Sequence, residues 1–172
     1  MTQPVADPHS RDDMATLGFA KHDHHSCIHT ALEAAQAHCA REGLQLTPVR
    51  KRVLEILLER HTALGAYEIL DMLRAEKLGS QPPVAYRALD FLVTHGFAHK
   101  IERLNAFIAC AHPDTEHAPV FLICRACQAV AETHTDLTVG RLGQAAGAVG
   151  FAIERMVVEV EGLCPNCQDA AA

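Results

Sequence analysis

Apolar residues recur at helical spacing over four successive stretches of the chain and then give way to short alternating runs. Ile28 to Glu42 carries Leu32, Ala35 and Cys39 on one stripe and stops near Gly43. Thr47 and Pro48 then open a second helix, because Thr caps the first free N–H groups and proline suits the first helical position. Its stripe is Val49, Val53, Ile56 and Leu57. After Gly65, Ile69, Leu70 and Leu73 predict a third helix that ends before Gly79. Pro82 and Pro83 open a fourth, striped by Ala85, Ala88, Leu89, Leu92 and Val93 and closed by Gly96. Arg87 and Asp90 fall off that stripe and are expected to face outward.

Two short runs follow, Phe97–Glu102 and Ala106–Cys110, separated by Arg103-Leu104-Asn105. They predict a β-hairpin. Helices followed by a hairpin is the order of a winged helix-turn-helix, with residues 66–95 as the helix pair and the segment from Pro82 as recognition helix. His112 to Pro119 is polar, holds two prolines and reads as a hinge. Beyond it, Val120–Cys124 and Val130–Thr133 predict strands, Asp136–Val149 a helix and Phe151–Glu161 a further strand, whose alternation shifts phase near Arg155 and Met156. The expected fold class is α+β. Residues 1–26 form a disordered tail, 27–111 the winged-helix domain, 112–119 the hinge and 120–172 a small α+β domain.

Charge sharpens this division. The net charge is -6, yet Arg41 to Arg103 holds ten Lys and Arg against eight Asp and Glu, while the rest holds five against thirteen. A mildly basic segment joined to an acidic one favours two domains with different partners. No apolar run approaches the ~20 residues of a membrane span, so no membrane role is expected. Asp7, Asp12 and Asp13 stand where a basic secretory leader would be, so the expected compartment is the cytoplasm. There, seven cysteines point to metal ligation or free thiols before disulfides.

The strongest chemical signal is Cys124-x-x-Cys127 paired with Cys164-x-x-Cys167. A two-residue gap lets two thiolates reach one ion at ~2.3 Å, and two such knuckles complete a closed, structural zinc site. A redox pair or surface disulfides are the alternatives. A second set is less regular: His99 and Cys110 on the hairpin, His117 in the hinge and Glu132 beside the first knuckle. One carboxylate, two imidazoles and one thiolate suit tetrahedral zinc. His112 and His134 compete for the same role, and spacing does not choose between them. In the tail, His22, His24, His25, Cys27 and His29 could bind metal weakly, although disorder with incidental histidines is the simpler reading.

Leu46-Thr-Pro-Val-Arg50, Ala66-Tyr-Glu-Ile-Leu70, Tyr86-Arg-Ala-Leu-Asp-Phe-Leu92 and Gly96-Phe-Ala-His-Lys100, completed by the paired CxxC, resemble the ferric uptake regulator family. The resemblance covers roughly residues 30 to 168, and within the family it is most similar to the zinc uptake regulator branch. It implies a winged-helix domain followed by an α+β dimerisation domain, a homodimer, and a non-enzymatic repressor of zinc-uptake genes. It implies two zinc ions per subunit, a structural one at Cys124, Cys127, Cys164 and Cys167 and a regulatory one at His99, Cys110, His117 and Glu132. The His-rich hinge usual in iron- and peroxide-sensing branches is replaced here by Glu116-His117-Ala118-Pro119-Val120-Phe121. The chain departs from the pattern at Val84-Ala85, where Thr-Val is usual, at Gln81, where a basic residue is common, and at Gln128, where glycine is frequent.

The expected partner is double-stranded operator DNA with an A·T-rich pseudo-palindrome. Arg87 can donate two parallel hydrogen bonds to a guanine. Tyr67 resembles a family DNA contact, and Tyr86 is ambiguous, its ring a candidate for the core and its hydroxyl for a backbone contact. Arg50, Lys51 and Arg52 are either phosphate contacts or a solvated charged face. Asp71 and Arg74 form an ordinary intrahelical pair or cross-pair between neighbouring dimers. Three rival readings remain: a zinc hydrolase, a zinc module without a DNA role, and a sensor of manganese, nickel or iron.

Overall fold

A computed structural model describes residues 24–60, 62–111, 113, 118–134 and 140–169. Four helices come first: α1 (His24–Arg41), α2 (Pro48–Leu58), α3 (Ala66–Ala75) and α4 (Pro82–Thr94). The hairpin β1 (Ala98–Ile101) and β2 (Ala106–Ala109) follows. The remainder is β3 (Pro119–Cys124), β4 (Val130–His134), α5 (Arg141–Ala148), β5 (Val158–Gly162) and α6 (Pro165–Asp169). Among the described residues, no helix is long and apolar enough to cross a membrane.

Local chemistry sets the helix ends. The Thr47 hydroxyl accepts the Arg50 N–H at 3.4 Å, with Pro48 in the first turn of α2. The Gly65 N–H donates to the Glu68 carboxylate at 2.8 Å, which satisfies a donor left over at the start of α3. The end of α4 decides where the hairpin goes. Gly96 adopts φ +74°, and Phe97 N–H and Gly96 N–H return to the carbonyls of Leu92 and Val93. This paired closure reverses the chain straight into β1.

The helical stripes converge as expected. Val53, Ile56 and Leu57 of α2, Ile69, Leu70 and Leu73 of α3, and Leu89 and Leu92 of α4 form one core with Ala35 and Cys39 of α1. A second, smaller core joins the hairpin to the following sheet: Ile101 and Ile108 pack on Phe121, Ile123 and Val130. That sheet has strand order β4-β3-β5, with β4 antiparallel and β5 parallel to β3. The two parts of the chain therefore share buried surface as well as the segment 112–119.

Some boundaries differ from expectation. α1 opens at His24, within the stretch read as tail, because hydrophobic periodicity begins only at Ile28 and does not register a polar first turn. β5 begins at Val158 rather than Phe151, since its pairing with β3 runs only from Val120↔Val158 to Cys124↔Gly162. The helix predicted over Asp136–Val149 is described from Arg141, and residues 135–139 lie outside the described set. α6 was not anticipated, although Pro165 is a suitable first helical residue.

Candidate metal centre

Cys124 ends β3, and β5 runs beside it in register with Gly162, which delivers Cys164 to the same corner. Arg125 N–H donates to the Gly162 carbonyl at 2.9 Å and locks the two knuckles together. The four sulfurs of Cys124, Cys127, Cys164 and Cys167 lie within 4.8 Å of one another. Cys127 Sγ and Cys164 Sγ are 3.7 Å apart. Sulfurs at tetrahedral zinc, ~2.3 Å from the ion, stand about 3.8 Å apart, whereas a disulfide requires ~2.05 Å. The cysteines are free thiols, so the disulfide alternative is set aside.

The electrostatics fit a cation. Backbone N–H groups, first that of Cys164 and then that of Cys127, draw the Cys124 thiol down to about 6. Hydrogen bonding with Cys164 and Cys127 pushes Cys167 up to about 12. The cluster readily takes one negative charge and resists more, because the remaining thiols donate hydrogen bonds to their neighbours. Four thiolates at this spacing need a divalent ion between them.

The second set is built by strand alternation. His99 faces Ile108 across the hairpin, so His99, Ile101, Ile108 and Cys110 share the face turned toward the sheet. In the sheet, Glu132 of β4 stands beside Phe121 of β3 on the face turned toward the hairpin. Ligand atoms of His99, Cys110 and Glu132 thereby come within 4.8 Å of one another. His99 Nε2 is 3.2 Å from Glu132 Oε1, and Ala111 N–H donates to Glu132 Oε2 at 2.8 Å. The His99 ring leans on Phe121, 5.4 Å between centroids.

Among the described residues Glu132 is the one buried polar or charged side chain, 3% exposed. A carboxylate removed from water needs a counter-charge or a proton. An imidazole, a thiol and a carboxylate converging around it form a donor set suited to zinc. His117 and its competitor His112 lie outside the described residues, as does the side chain of His134. Ala118, next to His117 in the chain, lines with His99 a cavity of about 630 Å³.

The helix pair presents Tyr67 at the start of α3 and Tyr86 on α4, 63% and 47% exposed, with rings edge to face at 6.5 Å. The exposure of Tyr86 removes the core alternative. Arg87 is exposed on α4, and Asp90 beside it. Lys51 is half-buried, 4.0 Å from Glu55. Arg50 is held within the domain: it donates to the Gln45 carbonyl at 2.6 Å and its guanidinium lies 3.7 Å above the Phe91 ring.

Arg52 sits in a cluster of carboxylates on the surface of its own domain. It binds Glu76 through two donors at 2.7 and 2.8 Å, Glu59 at 2.7 Å and Glu55 at 3.2 Å. It pairs with three carboxylates of its own chain and tethers α2 to the end of α3. Asp71 and Arg74 pair within α3 at 2.9 Å while remaining well exposed. In the histidine-rich segment, His22 lies outside the described residues, as do the side chains of His24, His25 and Cys27, and His29 sits 3.3 Å from Glu33.

Comparison with known proteins agrees with this geometry. Residues 41–161 match the ferric uptake regulator family profile. The zinc uptake regulation protein of Escherichia coli (strain K12) is 37% identical over 142 residues, 82% of this chain and 83% of that protein. A zinc uptake regulator solved with zinc and DNA superimposes with a TM-score of 0.78 at 35% identity, covering 84% of this chain and 97% of that one. The holo XcZur crystal structure gives 0.72 at 42% identity, covering 82% and 97%.

Proposed function

The chain belongs to the ferric uptake regulator family, and from that premise we propose that it is a zinc-responsive transcriptional repressor. It binds operator DNA as a zinc-loaded homodimer and controls zinc-uptake genes. The observation that carries this reading is the convergence of His99 and Cys110, from the hairpin, with Glu132, from the neighbouring sheet.

In this reading Cys124, Cys127, Cys164 and Cys167 hold a structural zinc, and His99, Cys110, Glu132 and His117 hold a regulatory one, two per subunit. Held by these residues, zinc would supply positive charge where hairpin and sheet meet. With His117 as a fourth donor no position would be left for a reactive water, as a regulator rather than a hydrolase requires. The thiolate of Cys110 favours zinc over manganese.

Residues 27–111 read DNA, 112–119 act as the hinge and 120–172 dimerise. The dimer is supported by α5, which buries none of its residues within the chain, and by exposed Leu142, Val149, Phe151 and Val160. Two α4 helices then address a pseudo-palindrome, with Arg87 at a base edge and Tyr67, Tyr86 and Lys51 on the backbone. Arg50 ties α2 to α4 through the Phe91 ring, and Asp71 and Arg74 are available to exchange partners with an adjacent dimer. Such a protein works in the cytoplasm, beside its DNA.

The test is a titration. Protein retaining only the four-cysteine metal is mixed with genomic DNA fragments selected by the fully loaded protein, and zinc, iron, manganese or nickel is added. Zinc should restore binding at the lowest free concentration. Equal DNA affinity before and after zinc addition would sink the proposal.

A further inference from the structure

The hairpin is gripped at both ends by one row of the sheet. Phe121 of β3 is flanked in register by Glu132 of β4 on one side and Glu159 of β5 on the other. Side chains in register across neighbouring strands share a face. Here it is the face that packs on Ile101 and Ile108 of the hairpin. Glu132 serves the open end of the hairpin, beside His99 and Ala111. Glu159 serves the closed end: its two oxygens accept the backbone N–H groups of Glu102 at 2.7 Å and Arg103 at 3.0 Å. Two residues on, Glu161 pairs with the Arg103 guanidinium.

We propose that Glu159, seconded by Glu161, is a positioning residue for DNA binding: a metal-independent latch that holds the hairpin turn against β5. With the turn held, His99 and Cys110 are kept close to Glu132 before a metal arrives. This rests on the reading of His99, Cys110 and Glu132 as the regulatory site. Apparent affinity scales with the fraction of molecules already in the competent arrangement. Releasing the latch therefore weakens zinc binding at that site and DNA binding together.

The sign is diagnostic. DNA is a polyanion, so deleting a carboxylate of the DNA-binding protein should, by charge alone, leave binding unchanged or tighten it. The latch predicts the reverse.

The test uses the full-length, zinc-loaded dimer as wild type, Glu159→Gln and Glu161→Gln, with Glu42→Gln as a change of equal charge at an exposed position outside the contact. DNA affinity is read by anisotropy, second-site zinc affinity by chelator competition, and solvent exchange of the Glu102 and Arg103 amides by NMR in protein lacking second-site metal. Glu159→Gln should weaken DNA and zinc binding by roughly fivefold or more, within the usual range of coupling between sites, and speed exchange of both amides. Glu161→Gln should do the same to a smaller degree, so a folding defect in the first variant does not decide the matter. DNA binding by both variants as tight as wild type or tighter overturns the latch. Absence of any zinc effect in wild type refutes the regulatory-site reading instead. In that case the amides still decide, with faster exchange in Glu159→Gln supporting the latch and unchanged exchange overturning it.

Discussion

Glu132 carries the sharpest chemical tension in the molecule, because a carboxylate that is 3% exposed is tolerable only with a partner. Its neighbours His99 and Cys110 are metal donors; His99 Nε2 stands 3.2 Å from one carboxylate oxygen and Ala111 N–H donates to the other. Glu132→Gln keeps the shape and removes the charge. Its effect should therefore have opposite signs in two states. In protein stripped of second-site metal, thermal stability should hold or rise, since a buried charge has gone. With zinc added, the bound stoichiometry should fall by one per subunit while the four-cysteine ion stays, and second-site affinity should drop by more than the roughly 10–100-fold typical of losing an outer-shell partner. Metal analysis after gel filtration and calorimetric melts measure both. Unchanged zinc content in the variant would remove Glu132 from the site.

At the scale of elements, Arg52 shows that the partners of a charged run can be distant in sequence. From Arg50-Lys51-Arg52 alone, the three are equivalent cations, but the fold brings Glu76 alongside Arg52, 24 residues on. Hydrogen bonding from Arg52 holds the Glu76 carboxyl below the ordinary glutamate range. A carboxyl more acidic in the folded than in the unfolded chain contributes stability that is fully present above the unfolded value, about 4.3, and is lost as pH falls through the folded value. Glu76→Gln should lower the melting temperature by a few degrees near neutral pH, and the gap should close in acid; a gap constant with pH would show that the tie is not ionic. The same contrast explains what was legible beforehand. Helix stripes, caps and the CxxC knuckles are local patterns, so α2, α3, α4, the hairpin and the four-cysteine cluster could be read directly. The start of β5 depends on its register against β3, and the grip of Glu159 on the hairpin turn depends on a strand some 56 residues away. The alternation Val158-Glu159-Val160-Glu161 was visible, but not which face would meet the hairpin.

For the whole molecule, the question is how an ion held by His99, Cys110 and Glu132, as proposed above, would govern a DNA-reading helix. Among the described residues the second core joins hairpin to sheet through five buried side chains, Ile101, Ile108, Phe121, Ile123 and Val130, with Ala63 and Leu104 packed against them, so the joint is modest and can be biased by a few kcal/mol. Zinc can shift that joint only by its differential affinity for the two arrangements, and a near-complete switch from 1:99 to 99:1 needs about 5.5 kcal/mol. Thermodynamic linkage then makes a demand that no single-site account shares. Whatever factor zinc adds to DNA affinity, DNA must add to zinc affinity. Chelator competition for the second-site ion, run with and without operator at one fixed salt concentration, measures the second factor; anisotropy with and without that ion measures the first. The salt must be common to both because phosphate contacts make DNA affinity strongly salt-dependent. The two factors should agree, and in Glu132→Gln both should collapse toward one. If DNA leaves zinc affinity unmoved while zinc still tightens DNA binding, the added zinc is acting outside this thermodynamic cycle, through aggregation or a DNA-bridging ion, and the hairpin–sheet joint is not the switch.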